Sequence, residues 1–102
     1  MLHAYNITIA PDVIIGDNVT VCKGATIGYT NGKKKGVPCL GNCVYVGLNS
    51  TILGGINIGD DVIIAPNTFV NKDVPSHSIV MGNPCHIIPR KDATIEYIRY
   101  RV

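Results

Sequence analysis

Aliphatic side chains recur at every sixth position along most of this chain. Leu40, Val46, Ile52, Ile58, Ile64 and Val70 form one unbroken series. A second set sits four residues after each of these: Val44, Ser50, Ile56, Val62, Thr68 and Val74, all β-branched or small. The residue directly behind each aliphatic is Gly41, Gly47, Leu53, Gly59, Ala65 or Asn71, so four of the six are Gly or Ala. An earlier run has the same grammar: Ile9, Ile15, Val21 and Ile27, with Val13, Val19 and Ala25 between them. Thirteen residues separate Ile27 from Leu40, so one unit has gained seven. The extra residues lie in "GYTNGKKKGVPC", which reads as an extruded loop.

A helix cannot use this spacing. At about 100° per residue, six residues rotate a side chain by roughly 240°, off any single buried face. One alternating strand fails as well, because Gly and Pro interrupt each run too early. What remains is a coil with three short flat sides, one hexapeptide per side, the aliphatic residue pointing inward. The predicted fold class is therefore all-β: a parallel β-helix of hexapeptide repeats with one extruded loop and a short C-terminal extension. The pairs Gly16-Asp17, Gly41-Asn42 and Gly59-Asp60 are expected at the corners. There Gly would take the left-handed backbone and Asp or Asn would bond its own main chain. The helix is assigned to residues 1–75 with its loop at 29–39. Residues 76–102 form a C-terminal turn and a capping extension in which Ile95 and Ile98 suit a short helix. Tyr45, Leu48, Ile63 and Phe69 fall on the outer faces, where a monomer would expose them.

Composition adds limits. A chain of 102 residues is one small domain. With a single Phe and no Trp, its core rests on Val and Ile. The net charge of +2 is weak, and the one basic run, Lys33-Lys34-Lys35, lies in the Gly-rich loop and not on a periodic face. That argues against a nucleic-acid partner and leaves a solvated loop or an anion-binding one. Cys22, Cys39, Cys43 and Cys85 contain no CxxC pair and no zinc-finger spacing, so no metal site is expected and the thiols read as reduced. No apolar run reaches membrane-spanning length and no charged-then-apolar leader is seen, which makes the cytoplasm the expected compartment.

The segments "IGDNVTVCKGATIG", the Gly/Lys loop, "LGNCVYVGLNSTILGGINIGDDVIIAPNTFVNKDVP" and "SIVMGNP" together resemble the hexapeptide-repeat acyltransferases. The likeness runs from His3 to about Ile88. It is strongest to the serine O-acetyltransferases and to relatives that acetylate sugars or capsular polysaccharide. The resemblance implies a left-handed coil, which the spacing itself does not show. It also implies acetyl-CoA as acetyl donor and a homotrimer that would cover the outer faces.

Six residues before Ile9 stands His3, in a slot that every later unit fills with an aliphatic, while Ile7 keeps the second slot. One reading is a frayed first turn with His3 simply exposed. The other follows from the resemblance, in which a His at the matching place is the general base, a task suited to imidazole near neutral pH. The family's loop ends in a His-Pro pair whose His helps hold the acceptor; here Val37-Pro38 takes its place. For CoA, small residues would let a pantetheine arm lie along a groove between neighbouring coils: Gly47, Gly59, Ala65 and Asn67. Lys72 in "VNKDVP" matches a CoA-contacting position of the family, with Asn71 beside it, and Arg90 is the next candidate phosphate partner. Taken singly, each cation is ordinary surface charge. His77 is expected to be exposed after the Pro75 turn, and His86 to pack where the chain leaves the coil. An acyl-cysteine route through Cys22 lacks a sequence-placed partner. The expected activity is O-acetylation of serine or a sugar by acetyl-CoA. The alternatives are a non-catalytic trimeric scaffold or CoA-binding module and, on the same fold, a metal-dependent hydratase.

Overall fold

The computed structural model describes residues 7–30 and 35–91. Those residues form strands and turns and no helix. The strands are β1 (Thr8–Ile9), β2 (Ile14–Ile15), β3 (Thr20–Val21), β4 (Thr26–Gly28), β5 (Cys39–Leu40), β6 (Val44–Val46), β7 (Thr51–Leu53), β8 (Asn57–Ile58), β9 (Val62–Ile64), β10 (Phe69–Val70), β11 (Ser78–Met81) and β12 (His86–Pro89). They stack into three sheets, ordered β1-β4-β7-β10, β2-β5-β8 and β12-β11-β9-β6-β3. As far as β10 every third strand joins the same sheet, and after it the isolated bridge at Val74 stands in for a strand before β11 joins β9, so the chain winds around a three-sided prism. Each sheet is parallel, except that β12 turns back antiparallel on β11.

The register shows how the sequence makes the prism. Thr51 pairs with Phe69, Cys39 with Asn57 and Tyr45 with Ile63, each one turn of eighteen residues apart. Across the loop Thr26 pairs with Thr51, a step of twenty-five. The seven added residues are absorbed at one corner, and the core resumes in phase. Inside, Ile27, Leu40, Val46, Ile52, Ile58, Ile64 and Val70 are at most 2% exposed, with Val44, Ile56 and Val62 filling the second slot. Full burial of such a side chain stabilises by about 1.5–3 kcal/mol, which is how a core without Trp holds.

The final turn is shorter. Ile58 bridges to Val74 and Ile64 pairs with Val80, sixteen residues on. Val74 therefore occupies the main aliphatic slot above Ile58 and not the second slot its spacing from Val70 suggests.

The corners also differ from expectation. Gly16, Gly41 and Gly59 do not carry the left-handed backbone. At Asp12, Asn18, Gly24, Cys43, Asn49, Asp61, Asn67 and His77 it falls on the third residue after a core aliphatic, though not after Ile27, Ile52 or Val70. Asn and Asp tolerate this conformation because their short side chains bond locally. The glycines serve stacking. A Cβ on Gly41 would strike the Asp60 carboxylate and the Gly59 carbonyl of the next turn. The Asn42 amide instead donates to Asp60 Oδ1 at 2.7 Å, Asp17 to Asn42 Oδ1 at 2.8 Å and Asp60 to Ser76 Oγ at 2.9 Å. This ladder of side-chain caps runs up one corner.

On the outer faces Leu48 is 48% exposed and Tyr45 and Phe69 are half-buried. Ile63, expected outside, is 8% exposed. It lies in register between Tyr45 and Ile79 in the five-stranded sheet.

Candidate functional site at the prism corners

The candidate residues sit where the chain turns between sheets. The first corner, between the four- and three-stranded sheets, carries the loop and Asn71-Lys72-Asp73. The second joins the three- and five-stranded sheets and carries Gly59 to Asp61 and Ser76-His77. The third joins the five- and four-stranded sheets and carries Gly47 to Ser50 and Ala65 to Thr68.

Gly47, Ala65 and Asn67 come together at the third corner. Asn67 N donates to Leu48 O at 2.8 Å, tying one turn to the next. Gly47 is buried, and a Cβ there would meet Ile64 O and Pro66 N at 2.7 Å, so its missing side chain is taken up by the coil above. The amides of Gly47 and Asn49 are already donated, to Ile64 O and Lys23 O. Beneath the corner run two buried hydroxyls. Ser50 Oγ and Thr68 Oγ1 each donate to Ala65 O at 2.7 Å, while Thr68 Oγ1 accepts from Gly82 N at 3.3 Å. They hold the strip rigid from inside.

Gly59 belongs to the second corner, and so does Arg90, whose amide donates to His77 O at 2.7 Å. Asn71 and Lys72 are exposed at the first corner. Beside them, Asp73 Oδ1 accepts from Asn57 N at 2.9 Å. The loop base on this corner is closed by mutual bonds between Thr30 and Gly36 and rests on Gly55, where a Cβ would meet Lys35 O at 2.5 Å. The seven candidate cofactor residues thus occupy three corners of one prism. His3 lies outside the described residues.

One pair went unread in the sequence. His77 Nδ1 and Asp61 Oδ2 are 2.7 Å apart, with His77 59% exposed and Asp61 14%. A strict eighteen-residue step sets Asp61 opposite Ile79; only the shortened last turn brings His77 above it. Cys22 also has a partner, its Sγ lying 3.3 Å from Tyr45 Oη. His86, expected to pack at the exit of the coil, is exposed on β12, opposite Met81. All four cysteines are free thiols. Among the described residues, no cluster of three or more His, Cys, Asp or Glu could hold a metal ion, and no helix is long and apolar enough to cross a membrane.

The chain is 40% identical to a serine acetyltransferase of Staphylococcus epidermidis over 91% of its own length, and 37% identical to serine acetyltransferase 2 of Arabidopsis thaliana over 96%. A serine acetyltransferase from Brucella abortus superposes with a TM-score of 0.78 at 31% identity, over 85% of this chain and 36% of that one. Along most of its length the chain is thus similar to one part of hexapeptide-repeat acyltransferases of the serine acetyltransferase kind. Its coil is the left-handed parallel β-helix of these relatives. The same Brucella enzyme in complex with coenzyme A gives a TM-score of 0.75 at 32% identity, over 82% of this chain and 34% of that one. No protein-family model matches. The chain spans 44% of the Staphylococcus relative and 34% of the Arabidopsis one, less than half of either.

Proposed function

We propose that this chain is the catalytic β-helix of an acetyl-CoA-dependent O-acetyltransferase acting on the hydroxyl of serine or of a sugar. The observation that carries the reading is its likeness, along nearly the whole coil stack, to serine acetyltransferases, one of them solved with coenzyme A. His3 takes the proton of the acceptor hydroxyl. The acceptor oxygen attacks the thioester carbonyl, and the oxyanion is held by corner amides. Collapse breaks the C–S bond, and CoA leaves as a thiolate that recovers the proton from the His3 imidazolium.

The pantetheine arm follows the third corner past Gly47, Ala65 and Asn67, with Gly59 on the second corner completing the set of small groove residues. Lys72, Asn71 and Arg90 serve the phosphate end. Three corners of one prism cannot line one narrow cleft, so a neighbouring prism must supply part of it. This supports a homotrimer with grooves between subunits; the compartment proposed for it is the cytoplasm.

The test mixes the protein with acetyl-CoA and serine or sugar acceptors and follows free thiol. Turnover on either is expected; CoA binding without turnover on any hydroxyl would overturn the catalytic reading. Val37, standing where the resembling loop has His, favours a second reading, a non-catalytic trimeric CoA-binding module. His3→Ala separates the two. An enzyme loses thiol release while keeping CoA affinity, whereas a module shows no functional change.

A further inference from the structure

The proposed acyl transfer leaves one pair of polar side chains idle. His77 Nδ1 meets Asp61 Oδ2 at 2.7 Å on the second corner. The fold makes little use of this imidazole. His77 is held by its backbone, its amide donating to Asp60 O at 2.8 Å and its carbonyl accepting from Arg90 N at 2.7 Å. The side chain is 59% exposed, so water screens the pair and little stability comes from it. Its φ of 58° is the left-handed backbone that Asn18, Asn49 and Asn67 take in other turns, so asparagine would serve the corner as well. What the pair does achieve is orientation. A carboxylate accepts and does not donate, so Nδ1 carries the hydrogen and the neutral ring keeps Nε2 as a hydrogen-bond acceptor. Nε2 has no hydrogen-bond partner among the described residues. His86, the other histidine among them, is exposed on β12 with no carboxylate behind its ring.

We propose that His77 binds the hydroxyl substrate of the acyl transfer, its Nε2 receiving an N–H or O–H other than the hydroxyl that is acylated. The assignment rests on the acetyltransferase reading, which puts Gly59 and Arg90 of this same corner at the CoA groove. Charge selects the kind of partner. The carboxylates of Asp60 and Asp61 stand at the corner, and Asp60 Oδ1 is taken by the Asn42 amide. A phosphate oxygen is anionic and only accepts, so beside these carboxylates it gains nothing from Nε2. A hydroxyl or an ammonium group donates, and the carboxylates favour it. The substrate class is therefore a compound with a second donor near the reacting hydroxyl, as the ammonium of an amino acid or the next hydroxyl of a sugar would be. Asp61 is then a positioning residue, which holds the ring in the tautomer that accepts.

The test follows free thiol over a range of serine or sugar concentrations, with CoA affinity measured by calorimetry. His77→Asn suits the left-handed backbone and removes the ring. It should raise KM for the hydroxyl substrate about tenfold, while kcat and CoA affinity stay within about twofold. Asp61→Asn also keeps the backbone, yet it can offer Nδ1 an N–H and so favour the other tautomer. Its KM should rise several-fold, again with CoA affinity kept. The double variant should be no worse than His77→Asn alone, because Asp61 acts only through the ring. A KM in His77→Asn within about twofold of the unmodified protein overturns the assignment, and so does a parallel loss of CoA affinity. Effects of the two substitutions that multiply overturn the positioning role of Asp61. No turnover by the unmodified protein overturns the acetyltransferase reading itself, and this assignment with it.

Discussion

At the scale of single residues, the corners divide the labour between two positions. At Gly16, Gly41, Gly47 and Gly59 the residue behind the core aliphatic has no room for a side chain, because the next turn lies directly above it. In those same turns the residue two further on takes the left-handed backbone, at Asn18, Cys43, Asn49 and Asp61. Gly41→Ala should therefore destabilise by about 1–3 kcal/mol, read from the urea midpoint, since its methyl would press on backbone that cannot yield. Cys43 occupies the left-handed position at φ 57°, where Asn18, Asn49 and Asn67 stand in other turns. A left-handed residue without a locally bonding side chain costs roughly 1–2 kcal/mol, of which Cys43→Asn should recover up to about 1 kcal/mol in the same assay. His77→Ala should cost less, about 0.5 kcal/mol, because a pair with a largely exposed partner is well screened. The histidine's main contacts to the coil are made by its backbone.

At the scale of elements, each two- or three-residue strand is too short to stand alone and depends on the turns above and below. Ile52 is wholly buried between β4 and β10, so Ile52→Ala should cost about 2–5 kcal/mol in denaturant unfolding. The hydroxyl pair behaves differently. Thr68→Val keeps the shape yet strips the Gly82 amide and the Ala65 carbonyl of a partner. A loss of about 1–3 kcal/mol is expected, and Thr68→Ser should restore most of it. The extruded loop is tolerated because its base is bonded and its seven residues enter and leave at one corner.

At the scale of the whole molecule, the prism is a rod whose corners can be lined on one edge only by residues of that corner. Under the acetyltransferase reading, His3→Ala should lower turnover by about 10²–10⁴-fold while CoA affinity, measured by calorimetry, stays within about twofold. Lys72→Ala should do the reverse, weakening CoA by about tenfold, worth about 1.4 kcal/mol, with little change in saturated rate.

The six-residue repeat by itself determined the core and the three-sided coil, but not its hand. Its signal is local: a branched residue placed every sixth position can be buried by one architecture only, wherever Ile27, Leu40 or Ile52 falls along it. What lies above what is another matter, because vertical neighbours depend on every insertion and deletion between them. The seven residues added before Leu40 were visible as a break in spacing. The two lost between Val70 and Val74 were not, because Val74 fits either slot, and with them the meeting of His77 and Asp61 was hidden. Tertiary structure alone also decided that Gly47, Gly59 and Lys72 stand on different corners. Periodicity says that a side chain points inward or outward; only the stacked register says which turn, and which edge, it shares.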